Sequence, residues 1–240
     1  ARRCQRLISV CDAMTRQYLD AGIATPDMFT TIYSGMDVEP FLDPPRSRED
    51  VRAELGFDDD DVVVGKIARL FDLKGHRYLL EAAGQIVQAA PKTKFLLVGD
   101  GPLRDRFEAQ ISRDGLANHF VFTGLVTPGL IPELIHATDL VVHSSVWEGL
   151  ARVLPQAMIA GKPVVSFDID GAPEVVIPDE TGLLVEPESV DGLVQAVTRL
   201  VADKELRDRL GDEGCRRWTE PFRYQEMARL VREVYEEVLA

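Results

Sequence analysis

The feature that most constrains the fold of this chain is a regular alternation of short apolar runs with longer amphipathic stretches. The apolar runs contain few charged residues, which is typical of strands that are buried on both faces of a sheet. Seven strands are predicted, at Leu7–Cys11, Val62–Ile67, Lys94–Gly99, Phe120–Thr123, Leu140–Ser144, Pro163–Phe167 and Gly182–Val185. Because amphipathic stretches separate these runs, the sequence predicts an α/β fold with a parallel sheet covered by helices on both faces.

The amphipathic stretches have the periodicity of α-helices. The clearest example is SVDGLVQAVTRLV, in which Ser189 is a suitable N-cap and the apolar residues share one face. Helices are predicted at Ala13–Ala21, Arg48–Leu55, His76–Ala89, Leu103–Arg113, Ile131–Ala137, Ala151–Ala160, Val190–Ala202, Lys204–Gly214 and Arg223–Leu239.

The composition argues against several classes of protein. The chain has 240 residues, a formal net charge of −13 and a pI of about 4.8, whereas a general nucleic-acid-binding protein normally has a basic face. No apolar stretch approaches the roughly 20 residues of a membrane-spanning helix. Cys4, Cys11 and Cys215 are odd in number and lack metal-ligand spacing, so we expect reduced thiols in a cytoplasmic protein.

The distribution of proline and charge predicts two domains. The segment TTIYSGMDVEPFLDPPRSR, residues 30–48, contains three prolines and mixed charge, and is predicted to be a linker. The start of the chain, ARRCQRLISVCDAM, has neither an initiator Met nor a signal peptide, so we expect a fragment of a longer protein. Residues 1–35 are therefore predicted to be the end of one domain, and residues 36–220 a complete second domain.

Ligands of open α/β sheets bind at the carboxyl ends of the strands, so the loops that follow the strands are the candidate site. The first such loop, ARLFDLKGH, contains Arg69 and Lys74. Two cations on one strand-to-helix loop suit a diphosphate, because Arg can donate to two oxygens and Lys adds a compact charge. The alternative is that both are solvated surface cations, which are common.

The next two loops are rich in glycine and other small residues. The sequence GDGPLRDRF has Arg104 where a dinucleotide-binding G-x-G-x-x-G fingerprint requires a third glycine. It is better explained as a tight turn in which Pro102 starts a helix. The loop GLVTPG could form a slot for a flat base, lined by the backbone of Gly124, Leu125 and Val126, although the sequence alone favours an ordinary turn.

The loop after Leu140–Ser144 has the sequence VWEGLARVLPQAM, with Glu148 eight residues before Gln156. If a helix starts near Leu150, its free amides attract phosphate, and eight helical residues rise about 12 Å. That distance would suit one extended ligand held at both ends. The alternatives are that Glu148 is simply an acid favoured by the helix dipole and that Gln156 faces solvent. A later acid, Glu174 in GAPEVV, could contact a ligand or cap a helix.

Five of these segments together resemble the carboxyl-terminal, donor-binding half of the GT-B retaining glycosyltransferases of family four. The segments are YSGMDVEPF, IARLFDLKGHRYLLEA, FLLVGDGPLRDRFE, SSVWEGLARVLPQAMIAGKPVV and GAPEVVIPDETGLLV, and they occur in the order and spacing of that family. The resemblance implies a Rossmann-like, doubly wound parallel sheet. It also implies that residues 221–240 form a helix that packs towards an amino-terminal acceptor domain.

The resemblance implies specific roles for the candidate residues. Arg69 and Lys74 match the pair that binds the donor diphosphate, and Glu148 matches the glutamate that supports the donor sugar. Gly149 and Leu150 match positions whose backbone faces sugar and phosphate. Gln156 departs from the family, because it stands where a second glutamate holds the ribose hydroxyls. An amide has one acceptor oxygen, whereas a carboxylate has two.

The implied reaction of the full-length protein is transfer of a sugar, with retention, from a nucleoside-diphosphate sugar that is UDP- or GDP-linked. The acceptor, a glycan or a lipid, would bind the amino-terminal half, so we expect this chain alone to bind nucleotide without transferring sugar. No metal and no cofactor are expected. A cytoplasmic location is expected, and a peripheral position at the membrane stays open for the full-length protein.

Other functions remain as alternatives. The first is a non-catalytic nucleotide-sugar-binding or regulatory module, which Gln156 permits. A nucleotide-sugar epimerase on the same fold is disfavoured by the segment around Glu148, and an NAD-dependent dehydrogenase by the incomplete glycine fingerprint. A glycoside hydrolase with two carboxylates is disfavoured because Gln156 cannot act as the second carboxylate.

Overall fold

The computed structural model describes residues 4–240, and its first elements form a small unit. Strand β1 (Leu7–Ser9) leads into helix α1 (Asp12–Asp20), a 3₁₀ turn at Pro26–Met28 and strand β2 (Phe29–Thr31). The two strands pair in parallel, with Ile8 opposite Thr30. Strand β2 was not predicted and overlaps the start of the segment assigned as a linker. It escaped prediction because FTT is only three residues long and gains its partner from a strand twenty residues earlier.

The main body is a six-stranded sheet in which every pairing is parallel. Its strands are β3 (Val62–Ile67), β4 (Thr93–Val98), β5 (Phe120–Gly124), β6 (Leu140–His143), β7 (Val164–Phe167) and β8 (Gly182–Val185). The order across the sheet is β5-β4-β3-β6-β7-β8. This is the order of a doubly wound sheet, in which the direction of strand addition reverses between β3 and β6. The predicted fold class is confirmed, and the predicted strands occur within one residue of their observed ends, except that β1 stops two residues early.

Helices cover both faces of this sheet. They are α2 (Glu39–Leu42), α3 (Arg48–Leu55), α4 (His76–Ala89), α5 (Arg104–Arg113), α6 (Ile131–Ala137), α7 (Val153–Ile159), α8 (Ala172–Val175), α9 (Val190–Ala202), α10 (Lys204–Trp218) and α11 (Tyr224–Leu239). The predicted cap of α9 is confirmed, since the Ser189 hydroxyl accepts a hydrogen bond from the amide of Gly192 at 3.0 Å. The largest buried apolar cluster includes Leu79, Phe95, Leu140, Phe167 and Leu193, which join the sheet to α4 and α9.

Several predicted helix bounds differ from the structure. Helix α2 lies inside the predicted linker, and α10 continues to Trp218, four residues beyond the predicted end. Pro102 does not start α5; it lies in the turn before Arg104. Helix α7 begins at Val153, later than predicted, because residues 149–152 form a turn that follows the strand.

The last helix returns to the start of the chain. The amide of Met36 donates to the carbonyl of Phe222 at 2.8 Å, and the amide of Tyr224 donates to the carbonyl of Met36 at 3.1 Å. From there α11 extends until Glu237 lies 3.7 Å from the guanidinium of Arg6, beside the small sheet. Residues 221–240 therefore span from the large sheet to the small unit. The division of the chain into three parts stays a prediction.

Candidate functional site

The candidate loops meet at one edge of the sheet because all six strands are parallel. Arg69 and Lys74 follow β3, and Glu148 follows the neighbouring strand β6. Between these two strands the direction of strand addition reverses. Gly124 ends β5, which lies two strands further from this point. The order across the edge is thus the predicted base slot, then the two cations, then Glu148. Crevices at this reversal point are where ligands of doubly wound sheets bind.

A cavity of about 630 Å³ opens at this edge, between the large sheet and α1. It is lined by Met14, Gln17, Tyr18, Arg69, Phe71, Asp72, Leu73, Lys74, Trp147, Glu148 and Gly149. The cavity therefore brings together four of the predicted site residues, which lie up to 80 residues apart in the sequence. The other predicted positions, which are Leu150, Gln156 and the base slot, do not belong to its lining.

Lys74 and Glu148 form an ion pair at the centre of the cavity, through Nζ and Oε1. Nε2 of His143, which ends β6, lies 3.8 Å from the same carboxylate oxygen. Burial alone would raise the pKa of Glu148, but the nearby His143 ring and the Lys74 ammonium outweigh it and hold the pKa at about 2. Glu148 is therefore a carboxylate at neutral pH. The Lys74 ammonium has three protons, so it can donate to Glu148 and to a ligand at once.

The loop that contains Glu148 is held by contacts with its neighbours. Oδ2 of Asp170 accepts a hydrogen bond from the Glu148 amide at 2.7 Å. Oδ1 of the same carboxylate accepts from the side-chain amide of Gln17, on α1, also at 2.7 Å. Asp170 has a φ of 45°, a backbone conformation uncommon for a residue other than glycine. One carboxylate thus ties the glutamate loop to α1, which forms the opposite wall of the cavity.

Lys74 is positioned by a close approach between two loops. It ends a 3₁₀ turn at Asp72–Lys74, and Gly75 then adopts a φ of 61° before α4 begins. A Cβ atom on Gly75 would lie 1.8 Å from the carbonyl oxygen of Ser144, so only glycine fits between the loops. The Ser144 hydroxyl donates to the carbonyl of Gly75 at 2.8 Å. This contact joins the loop after β3 to the loop after β6.

Arg69 stands at the other side of the cavity, with its guanidinium 4.9 Å from the centre of the Phe71 ring. A cation stacked on an aromatic face keeps its donors free at the ring edge, and such stacking suits Arg better than Lys. The backbone before Arg69 is fixed by the sheet, because the amide of Ala68 donates to the carbonyl of Val98 at 3.0 Å.

The predicted base slot lies at the ends of β4 and β5. Gly124 has a φ of 69°, and its carbonyl accepts from the amide of Gly99 at 3.1 Å. The Leu125 side chain is 83% exposed, whereas Val126 packs against a buried cluster with Leu134 and Val98. The segment is thus a tight turn with one exposed apolar side chain. Its role in base binding stays a prediction.

The late start of α7 changes the expected geometry around Gln156. Only residues 153–156 of the eight between Glu148 and Gln156 are helical, so the predicted rise of eight helical residues was wrong. Gln156 is half-buried, and Leu150 packs against the apolar cluster that surrounds α7. Pro155 lies in the first turn of α7, where its missing amide costs no hydrogen bond.

Glu174 is one of the residues whose role the sequence left open between ligand contact and capping. Its two carboxylate oxygens accept from the amides of Asp12 at 2.9 Å and Ala13 at 2.7 Å. These are the free amides at the start of α1, more than 160 positions away in the chain. Glu174 therefore caps a helix, but one that belongs to the small unit at the other side of the cavity.

The sequence analysis missed three residues that lie close to the candidate site or hold its loops: Lys66, His143 and Asp170. Lys66 and His143 lie inside apolar runs and were counted only as strand residues. A charged residue in the middle of a strand that is buried on both faces is itself a signal, because charged side chains are rarely buried without a reason. Asp170 left no such signal, since acids are common in loops.

Within residues 4–240 one group of acids has the spacing of a metal site, formed by Asp58, Asp60 and Asp61. It precedes β3 and so lies at the opposite edge of the sheet from the cavity. Asp60 is already paired with Lys92, whose ammonium lies 3.0 Å from its carboxylate. The cavity itself offers Arg69 and Lys74 to an anionic ligand.

Sequence comparison relates the chain to a known family. Residues 47–217 match the profile described as glycosyl transferases group 1. The chain is 31% identical over 183 residues to an alpha-D-kanosaminyltransferase of Streptomyces kanamyceticus, covering 76% of this chain and 47% of that protein. It is 31% identical over 191 residues to a GDP-mannose-dependent alpha-(1-6)-phosphatidylinositol monomannoside mannosyltransferase of Mycolicibacterium smegmatis, covering 77% and 50%. The chain spans about half the length of these relatives.

Structural comparison agrees. The crystal structure of Anabaena HepE in complex with UDP-glucose matches with a TM-score of 0.88 and 27% identity, over 97% of this chain and 64% of that one. The C-terminal domain of a group 1 glycosyl transferase from Francisella tularensis shares the fold, with a TM-score of 0.71, 24% identity and coverage of 79% and 99%. In the part of the chain that the structure describes, no helix has both the length and the apolar character needed to cross a membrane. The doubly wound sheet and the profile match confirm the resemblance, and the chain belongs to the group 1 glycosyl transferases.

Proposed function

We propose that this chain is the donor-binding half of a retaining glycosyl transferase that uses a nucleoside-diphosphate sugar. The observation that supports this most directly is the order of groups along the carboxyl edge of the sheet. Across this edge the order is a glycine turn on β5, two cations after β3 and a carboxylate after β6. In the same order, these groups match the base, the diphosphate and the sugar of such a donor. The crystal structure of the HepE relative in complex with UDP-glucose supports the same ligand class.

Arg69 and Lys74 bind the diphosphate in this proposal. They face one cavity from two sides of a single loop, and their charges meet the negative charge that develops on the departing diphosphate. Glu148 holds the donor sugar close to its reacting carbon, with the backbone of Gly149 and Leu150 beside it. Because Glu148 stays a carboxylate at neutral pH, it also favours a sugar that becomes positive in the transition state.

The nucleoside lies further along the same edge. Gln156 binds the ribose, and the backbone of Gly124, Leu125 and Val126 forms the slot for the base, which we propose to be uracil or guanine. The acceptor, a glycan or a lipid, binds a separate half that completes the cavity opposite these residues. The reaction needs no metal, since the two cations supply the charge that the diphosphate requires.

The proposal is tested by thermal-shift and calorimetric titration of the chain with UDP, GDP, ADP, UDP-glucose and NAD. We expect one nucleoside diphosphate or its sugar to raise the melting temperature, and NAD to have no effect. Arg69→Ala removes a charged hydrogen-bond donor, which is worth roughly 1.5–3 kcal/mol, and should weaken binding about tenfold or more.

Arg216→Ala is the matched control, because Arg216 is an exposed arginine on α10 that pairs with Glu213 on the same helix. It should bind as the wild type does. A wild-type chain that binds none of these nucleotides would contradict the proposal. A full-length protein that binds the donor but neither transfers nor hydrolyses it would instead support the non-catalytic module.

A further inference from the structure

Lys66 is a buried cation that the proposed function has not used. It lies in the middle of β3, its side chain is among the largest that are fully buried, and only 1% of the residue is exposed. Its ammonium has one polar partner, the hydroxyl of Ser144, at 2.9 Å. Within the described residues 4–240 it forms no ion pair. A buried charge without a partner is costly, so the absence of a carboxylate requires an explanation.

The groups that face Lys66 come from every element around it. Lys74 in the 3₁₀ turn and Glu148 after β6 act on its charge, and that charge in turn acts on His76 at the start of α4 and on His143 in β6. Burial and the charge of Lys74 lower the pKa of Lys66 to about 7, against the opposing effect of Glu148. Burial also lowers the pKa values of both histidines, so both rings are neutral at neutral pH and neither supplies the negative charge that Lys66 lacks.

The position of Lys66 indicates where its missing partner binds. The Ser144 hydroxyl that it contacts also holds the carbonyl of Gly75, the residue directly after Lys74. Lys66 therefore lies beneath the junction of the two loops that present Lys74 and Glu148 to the cavity. Two more buried polar atoms at this end of the sheet, Nε2 of His143 and Oγ of Ser145, have no hydrogen-bond partner among the described residues.

We propose that the diphosphate of a donor bound in the cavity is the counter-ion of Lys66, so that donor binding places a proton on this buried amine. The inference rests on the proposed function and extends it. In the free chain near pH 8 the amine is neutral and donates one hydrogen bond to Ser144. When the diphosphate arrives, its negative charge stabilises the ammonium, and one proton moves from the buffer to Nζ. Lys66 acts through the field at the site and is a positioning residue.

Titration calorimetry with UDP-glucose and GDP-mannose tests this, using whichever binds. Neither ligand has a diphosphate group that titrates between pH 6 and 8, so the proton count reports on the protein. Measurements in phosphate and in Tris, whose ionisation enthalpies differ, should give an uptake that approaches one proton near pH 8 and falls towards zero near pH 6. Lys66→Met, whose unbranched side chain is one atom shorter and has no charge, should abolish the uptake and weaken binding about tenfold.

Lys162→Met is the matched control. Lys162 is a second lysine whose pKa is lowered by burial, to about 8, but it precedes β7 and lies at the opposite edge of the sheet. This variant should take up the proton as the wild type does. Donor binding without proton uptake near pH 8, or uptake that persists in Lys66→Met, would overturn the proposed role of Lys66 and leave the proposed function standing. A wild-type chain that binds neither donor would overturn the proposed function and this inference with it.

Discussion

The two edges of the large sheet treat buried cations in opposite ways. At the amino edge, Arg48 and Arg52 converge on Asp139, with side-chain contacts of 2.7 and 3.3 Å. Asp139 also accepts the backbone amide of Val63 at 2.7 Å, and Arg52 donates to the carbonyl of Asp61 at 2.7 Å. Arg48, Arg52 and Asp139 thus each have a protein partner. At the carboxyl edge, Lys66 is more deeply buried than either arginine. Among the described residues its ammonium has one hydrogen-bond partner, the hydroxyl of Ser144.

The difference separates a structural use of charge from a functional one. A buried pair that is complete within the protein fixes the positions of its elements, and here it joins α3 to the start of β3 and β6. A buried cation that is incomplete without a ligand costs stability in the free protein, and the ligand recovers that cost when it binds. Three predictions test this comparison, in order of expected effect.

The largest effect should follow from breaking the ion pairs that Asp139 forms with Arg48 and Arg52. Asp139→Ala leaves the buried guanidinium of Arg52 and the half-buried one of Arg48 without a carboxylate, and removal of one partner from a buried pair costs about 3–5 kcal/mol. Urea unfolding of the variant and the wild type measures this difference. Asp208→Ala removes an exposed pair with Lys204 and should cost less than about 1 kcal/mol. Equal, small effects of both changes would show that the amino-edge network is not a structural anchor.

The second prediction is a change in stability with a distinctive pH dependence, expected when the buried cation of Lys66 is removed. The pKa of Lys66 is about 7 in the folded chain and near its ordinary value of 10.5 in the unfolded chain. Between these values the unfolded chain binds more protons, so the free energy of unfolding of the wild type rises with pH relative to Lys66→Met, by at most about 1.4 kcal/mol per pH unit.

Urea unfolding of both proteins from about pH 6 to about pH 10 measures this difference, and groups that titrate alike in the two proteins cancel. The variant should be the more stable protein at the acidic end, where the wild type has to bury a charged ammonium. A difference in stability that does not change with pH would contradict the lowered pKa of Lys66.

The smallest effect should follow from adding a charge at the carboxyl edge. Gln156→Glu gives the predicted ribose position a carboxylate, which accepts from two hydroxyls where the amide offers one oxygen. We expect donor affinity to rise by roughly 1–2 kcal/mol, or about tenfold. Calorimetry with the nucleotide that binds the wild type measures it, and Gln110→Glu, on the distant helix α5, is the control. Unchanged or weaker binding would remove Gln156 from the ribose site.

Much of the fold could be predicted from the sequence because its signals are local. The strands β3 and β8 and the helices α3, α4, α6 and α9 have the predicted bounds, since apolar periodicity is set by neighbouring residues. The errors lie where local signals are weak. Strand β2 has three residues, and the turn before α7 delays a helix whose sequence favours an earlier start.

The candidate site divides in the same way. Arg69, Lys74 and Glu148 could be found from the sequence because each follows a strand at an edge where ligands bind, and the structure places all three at one cavity. Their partners could not be found. Glu174 caps a helix that precedes it by more than 160 residues, and Asp170 joins the glutamate loop to Gln17 on that same helix.

The sequence by itself determined the class of sheet, the loops that border its ligand edge and the family to which the chain belongs. Only the tertiary structure decided which buried charges have a partner of opposite charge within the protein. Periodicity and motif spacing report the surroundings of a residue along the chain, but the satisfaction of a buried polar group depends on elements that are distant in sequence. Lys66 is one residue in an apolar strand until folding places it against Ser144 and within the field of Lys74 and Glu148, and among residues 4–240 it forms no ion pair.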